Sequence, residues 1–520
     1  MDRTLFLLRT SLFPAVFVCL FFVSSAFPQK LTKENFVPSE ILVKFSPEVS
    51  SERIAAAKRT IGGETIEEFP SIGWQRITLP AGMSVKDAIA RYRELDGVEI
   101  AQPNFYYRLQ ATPNDAQFTN PGLYGLTKIA APTAWDLTTG SSAVVVANID
   151  TGMRMTHEDL AGNIWVNPSE IAGNGVDDDA NGFVDDVNGW DFFFNDSNPS
   201  DEHGHGTHTG GTIGAHGNNL LGIAGVNWTV KIMPIKIYNN TGNGSTSSML
   251  INAYNYIRMM KVRGVNIRVT NNSYGGCDEA CGYDQATKDA IDAMGETGIL
   301  NVFAAGYSSV NTDITPFYPA SYTSPTILSV GGSDESDARR FNYGAVTVDL
   351  AAPGVGIFST TFGSNSSYGS MSGTSMATPH AAGAAALLSA FNPNLSVASL
   401  KATLMNNVDQ LPSFTGFNKT GGRLNVDRAL RNPTVCTFSP TALTVNVTTK
   451  GGLVTLPVTT APNCEFTVKS QASWIKVLDT DTFSGSSTVT FRVGVNSTIT
   501  RNGIVVIGNQ PISIRQSRVG

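Results

Sequence analysis

Between residues 39 and 108 short apolar-polar runs are separated by helical periods. Ile41–Phe45, Glu64–Phe69, Trp74–Leu79 and Val98–Tyr107 read as strands, Ser50–Arg59 and Ser84–Leu95 as helices. That β-α-β-β-α-β order predicts a small ferredoxin-like unit. Leu109–Asn120 is polar, carries Pro113 and reads as a linker. From about 130 to 430 the period changes. Val144–Asp150, Val230–Ile237, Val265–Asn271, Ile299–Ala304, Thr326–Val330 and Val348–Leu350 are continuous apolar runs, with helical stretches at Ser247–Arg263, Gln285–Glu296 and Ser375–Phe391. Strands apolar on both faces and interleaved with helices predict an α/β fold with a doubly wound parallel sheet. Beyond about 434, Leu443–Thr448, Leu453–Thr459, Trp474–Val477, Thr488–Val493 and Ile504–Ile507 alternate with turn residues, which predicts a small β-sandwich.

Composition narrows the function. The 520 residues hold 36 Lys+Arg against 43 Asp+Glu, a net charge of −7, so there is no basic footprint for nucleic acid. At the other end, Arg3 and Arg9 precede the apolar run Leu12–Val23, and Ser24-Ser25-Ala26 supplies small residues at a cleavage position. Residues 1–26 therefore read as a secretory signal peptide, and the protein as secreted and extracellular. Its removal leaves Cys277, Cys281, Cys436 and Cys464. In an oxidising compartment four cysteines allow three pairings, of which proximity favours Cys277–Cys281 and Cys436–Cys464, with free thiols the alternative.

Three local signatures carry chemistry. Asn148-Ile149-Asp150-Thr151-Gly152 puts a carboxylate at the C-terminal end of a buried strand, the edge where open parallel sheets gather catalytic groups. Aspartic proteases use Asp-Thr-Gly twice, and this chain has one copy. In Gly204-His205-Gly206-Thr207-His208-Thr209-Gly210-Gly211, His205 reads as a general base at a helix start. The H-x-H-x-x-H spacing of His203, His205 and His208 leaves a zinc site as a second reading. Gly373-Thr374-Ser375-Met376-Ala377-Thr378-Pro379-His380 sets a serine at a sharp turn into a small-residue helix, where its hydroxyl is exposed and the helix N-terminus favours negative charge.

With these three motifs in the order Asp150…His205…Ser375, residues 113–430 resemble the subtilisin-like serine proteases (subtilases), thermitase-type members above all. Asn272-Ser273-Tyr274-Gly275-Gly276, Tyr318-Pro319-Ala320 and Ala351-Ala352-Pro353-Gly354 add to the resemblance. It implies that Asp150 orients His205, that His205 takes the proton, and that Ser375 attacks a peptide carbonyl. It further implies that residues 27–112 are a propeptide, at once intramolecular inhibitor and folding chaperone, released in self-processing from the peptidase domain 113–431. Polypeptide substrate would lie as an added β-strand. The resemblance assigns its flanks to Gly242, Gly244 and Ser245 on one side and Ser273, Tyr274 and Gly275 on the other. Phe317 falls at the base of the first specificity pocket, where a smaller residue is usual. One departure concerns catalysis: in Ala304-Ala305-Gly306-Tyr307 the position of the oxyanion-stabilising Asn is Tyr307.

Calcium is the cofactor the acidic residues point to, with no redox or organic cofactor. Asp177, Asp179, Asn181, Asp185 and Asp186, with Gly182 at the turn, resemble a calcium loop of the EF-hand kind, though no Glu closes the twelve-residue frame. Thermitase-type resemblance adds Asp115, Asp159 and Asn219, and a partial match around Asp191 and Asp196. Residues 432–520 resemble BACON-type immunoglobulin-like modules through Cys436, Asn463-Cys464, Ser473-Trp474-Ile475, Asn496, Arg501 and Ile514-Arg515-Gln516. Trp474 reads as core, with a platform for a glycan or cell-surface ligand as the alternative. The whole reads as a monomeric, secreted, calcium-dependent serine endopeptidase made as a zymogen. Because of Tyr307, a weakly active or inactive subtilase fold that acts by binding stands as the second reading.

Overall fold

In the computed structural model, residues 36–106, 111–276, 282–478, 482–497 and 499–517 are described. The signal-peptide reading and the Cys277–Cys281 pairing lie outside them. The chain divides into two compact units, Met1–Arg108 and Leu109–Gly520.

In the first unit four strands pair antiparallel in the order Glu64–Phe69, Trp74–Thr78, Phe36–Phe45, Val98–Phe105. Helices Ser51–Ile61 and Val85–Arg93 complete the expected ferredoxin-like topology. Ser84 caps the second helix by accepting the Asp87 N–H at 3.1 Å, and Val85, Ala88 and Tyr92 are buried.

The second unit is built on a mixed, mainly parallel sheet. From one edge its strands run Asp409–Gln410, Gly422–Arg423, Leu350–Pro353, Ile327–Ser333, Leu300–Ala304, Ile267–Asn272, Gly140–Asp150, Thr229–Lys236 and Trp190–Asp191. Gly140–Asp150 shows why the apolar run is unbroken. Val144 and Val146 face one core, with helix Thr374–Phe391, while Val145, Ala147 and Ile149 face a second, with helix Ser247–Val262. The run expected at Val348–Leu350 pairs later, at Leu350–Pro353, because the parallel register with Ile327–Ser333 begins only at Val330–Leu350. The strands at 190–191, 409–410 and 422–423 are two residues each, exist only through their tertiary partners, and carry no periodic signal.

Residues 439–516 form two four-stranded sheets. One holds Ser439–Pro440, Gly452–Thr459, Ser487–Val493 and Ile475–Val477; the other holds Thr444–Val447, Gln510–Gln516, Arg501–Ile507 and Val468–Ser470. Phe466, Phe491, Val505 and Ile512 fill the space between them, next to the disulfide Cys436–Cys464. This is the expected sandwich, and it belongs to the same compact unit as the large sheet.

Candidate active site

Asp150 ends its strand at the sheet's carboxyl edge and is 2 % exposed. Its Oδ1 accepts the Thr151 N–H and pairs with His205 Nδ1, both at 2.7 Å, and Oδ2 accepts the Thr209 hydroxyl at 3.2 Å. His205 opens helix His205–Gly214. That helix reaches the strand end only because residue 206 is glycine: a Cβ there would lie 2.1 Å from the Gly152 carbonyl oxygen. Burial pulls the His205 imidazolium down, but the Asp150 carboxylate beside it, helped by Asp201, more than restores it. The net shift is upward from the ordinary value.

Asp201 is the residue that sequence reasoning missed. Its carboxylate accepts the backbone N–H groups of His203, Gly204 and Thr207 and the hydroxyls of Thr151 and Thr207. It thereby caps the His205 helix and ties it to the Asp150 strand. An acid four residues ahead of a helix start is the signal that marks it.

Ser375 lies in the first turn of helix Thr374–Phe391, where backbone N–H groups have no partner within the helix. Pro379 stands four residues on. A proline has no N–H, so the Ser375 carbonyl is released from the helical ladder, and it accepts the Ser273 hydroxyl at 2.9 Å. In return the Ser375 hydroxyl donates to the Ser273 carbonyl at 3.0 Å. This reciprocal pair joins the serine to the segment expected to line substrate.

Around the three groups the expected pocket residues take definite places. Phe317 is wedged between two glycines: a Cβ on Gly275 would lie 2.0 Å from its ring, and one on Gly306 would lie 3.0 Å away. Beyond Tyr274 and Gly275 a cleft of about 920 Å³ opens, bordered by Gly242, Gly244 and Ser245 and walled by Tyr238, Tyr274, Tyr283, Tyr318 and Tyr322. Tyr307 is 68 % exposed, and the preceding Gly306 N–H donates to Thr374 Oγ1 at 3.0 Å.

The zinc reading of the histidines is corrected. His208 is buried in the helix, its Nε2–H donates to the Ile357 carbonyl at 2.8 Å, and burial pushes its imidazolium down to about 4. His380 is likewise pushed down to about 4 by burial and bonds the Met376 carbonyl at 2.9 Å. Among the described residues the acids and histidines that gather closely enough for a metal are Glu170, Asp177 and Asp179, with ligand atoms within 4.8 Å of one another. Glu170 lies ahead of the loop, and its carboxylate accepts the Asp179 and Asp185 N–H groups at 3.2 and 3.1 Å. Asp185 receives the N–H groups of Asn174 and Gly175. Asp186 is fully buried and accepts from Tyr256, Asn167 and Asn181. Asn181 thus turns its amide inward to Asp186 rather than toward Asp177 and Asp179. At the partial match around Asp191 and Asp196, Asp191 is buried and pairs with the Lys236 ammonium at 2.9 Å, which Glu202 shares at 3.0 Å.

The second acidic group has a different character. Asp115 is 5 % exposed, its Oδ2 accepts the Asn218 N–H at 2.7 Å, and its Oδ1 is buried without a hydrogen-bond partner. Burial, with the Asp159 charge adding to it, raises the Asp115 carboxyl above its usual range. Asp159 accepts from Asn219 at 2.9 Å, Ile223 at 2.8 Å and the Tyr368 hydroxyl at 2.9 Å.

The structure thus pairs Asp150 with His205 at the carboxyl edge of the sheet and sets Ser375 at a helix N-terminus in the same compact unit. A profile of the subtilase family matches residues 141–432, more than half of the chain, and the chain belongs to that family. A profile of the fervidolysin N-terminal prodomain matches residues 25–104. A thermophilic serine proteinase of Bacillus sp. strain AK1 is 32 % identical over 395 residues, 76 % of this chain and 87 % of that protein. Thermitase of Thermoactinomyces vulgaris is 36 % identical over 322 residues, 62 % of this chain and 99 % of that one. Among solved structures, a protease of Pseudoalteromonas arctica superposes with a TM-score of 0.51 at 28 % identity, covering 62 % of this chain and 99 % of its own. This protein is a serine-type endopeptidase with a prodomain, a zymogen.

Proposed function

We propose that Asp150, His205 and Ser375 perform the hydrolysis, in a secreted enzyme that removes residues 27–112 itself. The observation that carries the reading is the 2.7 Å Asp150–His205 pair at the sheet edge, in one compact unit with Ser375 at a helix N-terminus. Asp150 fixes the imidazole with its proton on Nδ1, which leaves Nε2 to accept a proton. In the resting enzyme the Ser375 hydroxyl donates to Ser273; rotation about its Cα–Cβ bond turns the proton toward Nε2 as Oγ attacks the peptide carbonyl. The Ser375 N–H then donates to the oxyanion. His205 passes its proton to the leaving amine, and water repeats the cycle on the acyl-enzyme. The test is labelling of Ser375 by a fluorophosphonate, followed by mass spectrometry. Only neutral His205 can accept the proton, and Asp150 keeps it protonated to higher pH. The labelling rate should therefore rise with pH about an inflection above the ordinary histidine value near 6.5. Absence of label, or a rate that falls across that range, rejects the triad.

Substrate is read as an extended strand between Gly242–Ser245 and Ser273–Gly275. Phe317, held between Gly275 and Gly306, fills the space next to the cut bond. The tyrosine-walled cleft takes a large apolar side chain farther along the strand. Small or medium residues are expected before the cut bond in a peptide-library profile, and Phe317→Gly should admit aromatic ones, since forcing them into filled volume costs about 1–3 kcal/mol. A wild-type profile dominated by Phe, Tyr or Trp at that position contradicts this.

Calcium fits both acidic groups. At Glu170, Asp177 and Asp179 three carboxylates converge, and Arg263 contacts Asp179 alone at 3.2 Å. At Asp115 and Asp159 a buried oxygen lacks any partner, and Asn219 lies beside them. A hard divalent ion would supply the positive charge that these oxygens lack, pinning residues 114–118 to the loop 218–222. Calcium held at 100 times its dissociation constant adds about 2.7 kcal/mol of stability. Melting curves in chelator and in millimolar calcium should differ, with Asp115→Asn reducing the difference; superimposable curves for the wild type rule out both sites. Residues 432–520 are read as the BACON-type module. The glycan platform finds no support, because the Trp474 ring is covered by the Arg501 guanidinium 4.2 Å from its centroid.

A further inference from the structure

Four charged side chains, none of them bonded to Asp150 or His205, meet where the sandwich abuts the peptidase. Lys401, on helix Val397–Asn406, is 3 % exposed and donates to Glu465 Oε2 at 2.7 Å, with Asp349 Oδ2 at 3.5 Å. Lys419 lies 2.5 Å from Glu465 Oε1 and 3.9 Å from Asp349 Oδ1. Asp349 and Glu465 are each 6 % exposed. Lys401, Lys419 and Asp349 belong to the peptidase sequence; Glu465 alone comes from the sandwich. Two ammonium groups and two carboxylates balance, so without Glu465 a buried net positive charge would remain in the peptidase.

The sandwich is seated on that helix by more than charge. Ala402 is part of the sandwich's own core. The Cys436 N–H donates to Ser399 Oγ at 3.0 Å, the Thr434 N–H to Thr403 Oγ1 at 2.8 Å, and the Asn463 amide to Asn406 at 2.7 Å. Cys464, bridged to Cys436, immediately precedes Glu465.

The four charges border a cavity of about 160 Å³ whose other walls include Ala320–Ser324 and, from the sandwich, Thr482, Phe483 and Ser484. Residues 320–324 are the back of the segment whose front carries Phe317, Tyr318 and Tyr322. Tyr322 lines this cavity and the tyrosine-walled cleft alike. The segment is tied across its own turn: the Ser321 N–H donates to the Phe317 carbonyl at 2.9 Å, and the Phe317 N–H to Ser321 Oγ at 3.0 Å.

We infer that the C-terminal sandwich is a built-in buttress of the substrate cleft, with Glu465 as the counter-ion that seats it behind residues 317–324. Glu465 is a positioning residue; it touches no reacting group. The inference rests on the cleft assignment above, and the experiment separates the two. Wild type, Glu465→Gln and the paired Lys401→Met/Glu465→Met, each as the full processed chain, are titrated with a fluorophosphonate and then assayed on a peptide with a large apolar residue for the tyrosine cleft. Glu465→Gln should lower the melting temperature by about 5 °C. Well below melting, it should raise KM about threefold or more with kcat nearly unchanged. The paired variant, which removes one charge of each sign, should regain most of both. An unchanged melting temperature in Glu465→Gln, a KM that does not move, or a paired variant no better than the single one overturns the buttress. Failure of the wild type to take the label indicts the catalytic reading instead, and the melting comparison still decides whether Glu465 seats the sandwich.

Discussion

Ser375→Ala is expected to accumulate as the unprocessed chain, with the segment from about residue 27 to 110 still attached, and to lose peptide hydrolysis by about a millionfold. The size follows from what the side chain does: its oxygen forms the bond to the carbonyl carbon, and methyl leaves nothing to attack. Intact-mass measurement of the purified variant, without added protease, reads the processing. The Ser273 hydroxyl still has the Ser375 main-chain carbonyl to bond, so the substitution removes chemistry and leaves the fold in place. A processed mass from the pure variant would show that the cut is made by something other than Ser375.

The second large effect has the opposite sign. Tyr307→Asn is expected to raise kcat at least about tenfold with little change in KM. Removing a side-chain donor to the oxyanion in a subtilase costs about 2.7–4 kcal/mol, roughly a hundred- to thousandfold. Tyr307 stands where the family resemblance places that donor, and it is 68 % exposed. The preceding Gly306 N–H is held by Oγ1 of Thr374, the residue next to Ser375. An amide on that backbone would regain a bond that strengthens only as charge develops on the carbonyl oxygen, so turnover changes and binding does not. Steady-state kinetics on one peptide substrate, corrected by active-site titration, measure it. Flat or reduced turnover would show that Tyr307 already serves as the donor or has another purpose.

Much of this was legible from the chain alone because it depends on local pattern. Glu64–Phe69 is a strand at the expected residues, and the unbroken apolar run ending at Asp150 is buried on both faces as expected. Period-two alternation marks one buried face, and its absence marks two. The Asp, His and Ser motifs were legible for a related reason. Gly206 is demanded by the close approach of Gly152 in the Asp motif, and Pro379 frees the Ser375 carbonyl one turn back, so each motif carries residues that the site itself requires.

What only the tertiary structure decided are pairings between residues distant in sequence. Glu170 joins Asp177 and Asp179, Lys236 pairs with Asp191, and Asp201 ties the His205 helix to the Asp150 strand. Phe317 finds its two glycines 42 and 11 positions upstream, at Gly275 and Gly306. Glu465 meets Lys401 64 residues away in the chain. A buried charge has to be neutralised, but nothing in the order of residues says by which partner, since burial and proximity are produced by packing the whole chain. Local periodicity therefore determined the strands, helices and catalytic motifs, and the packing of distant segments determined which charges are spent on each other and which remain for a cation or a substrate.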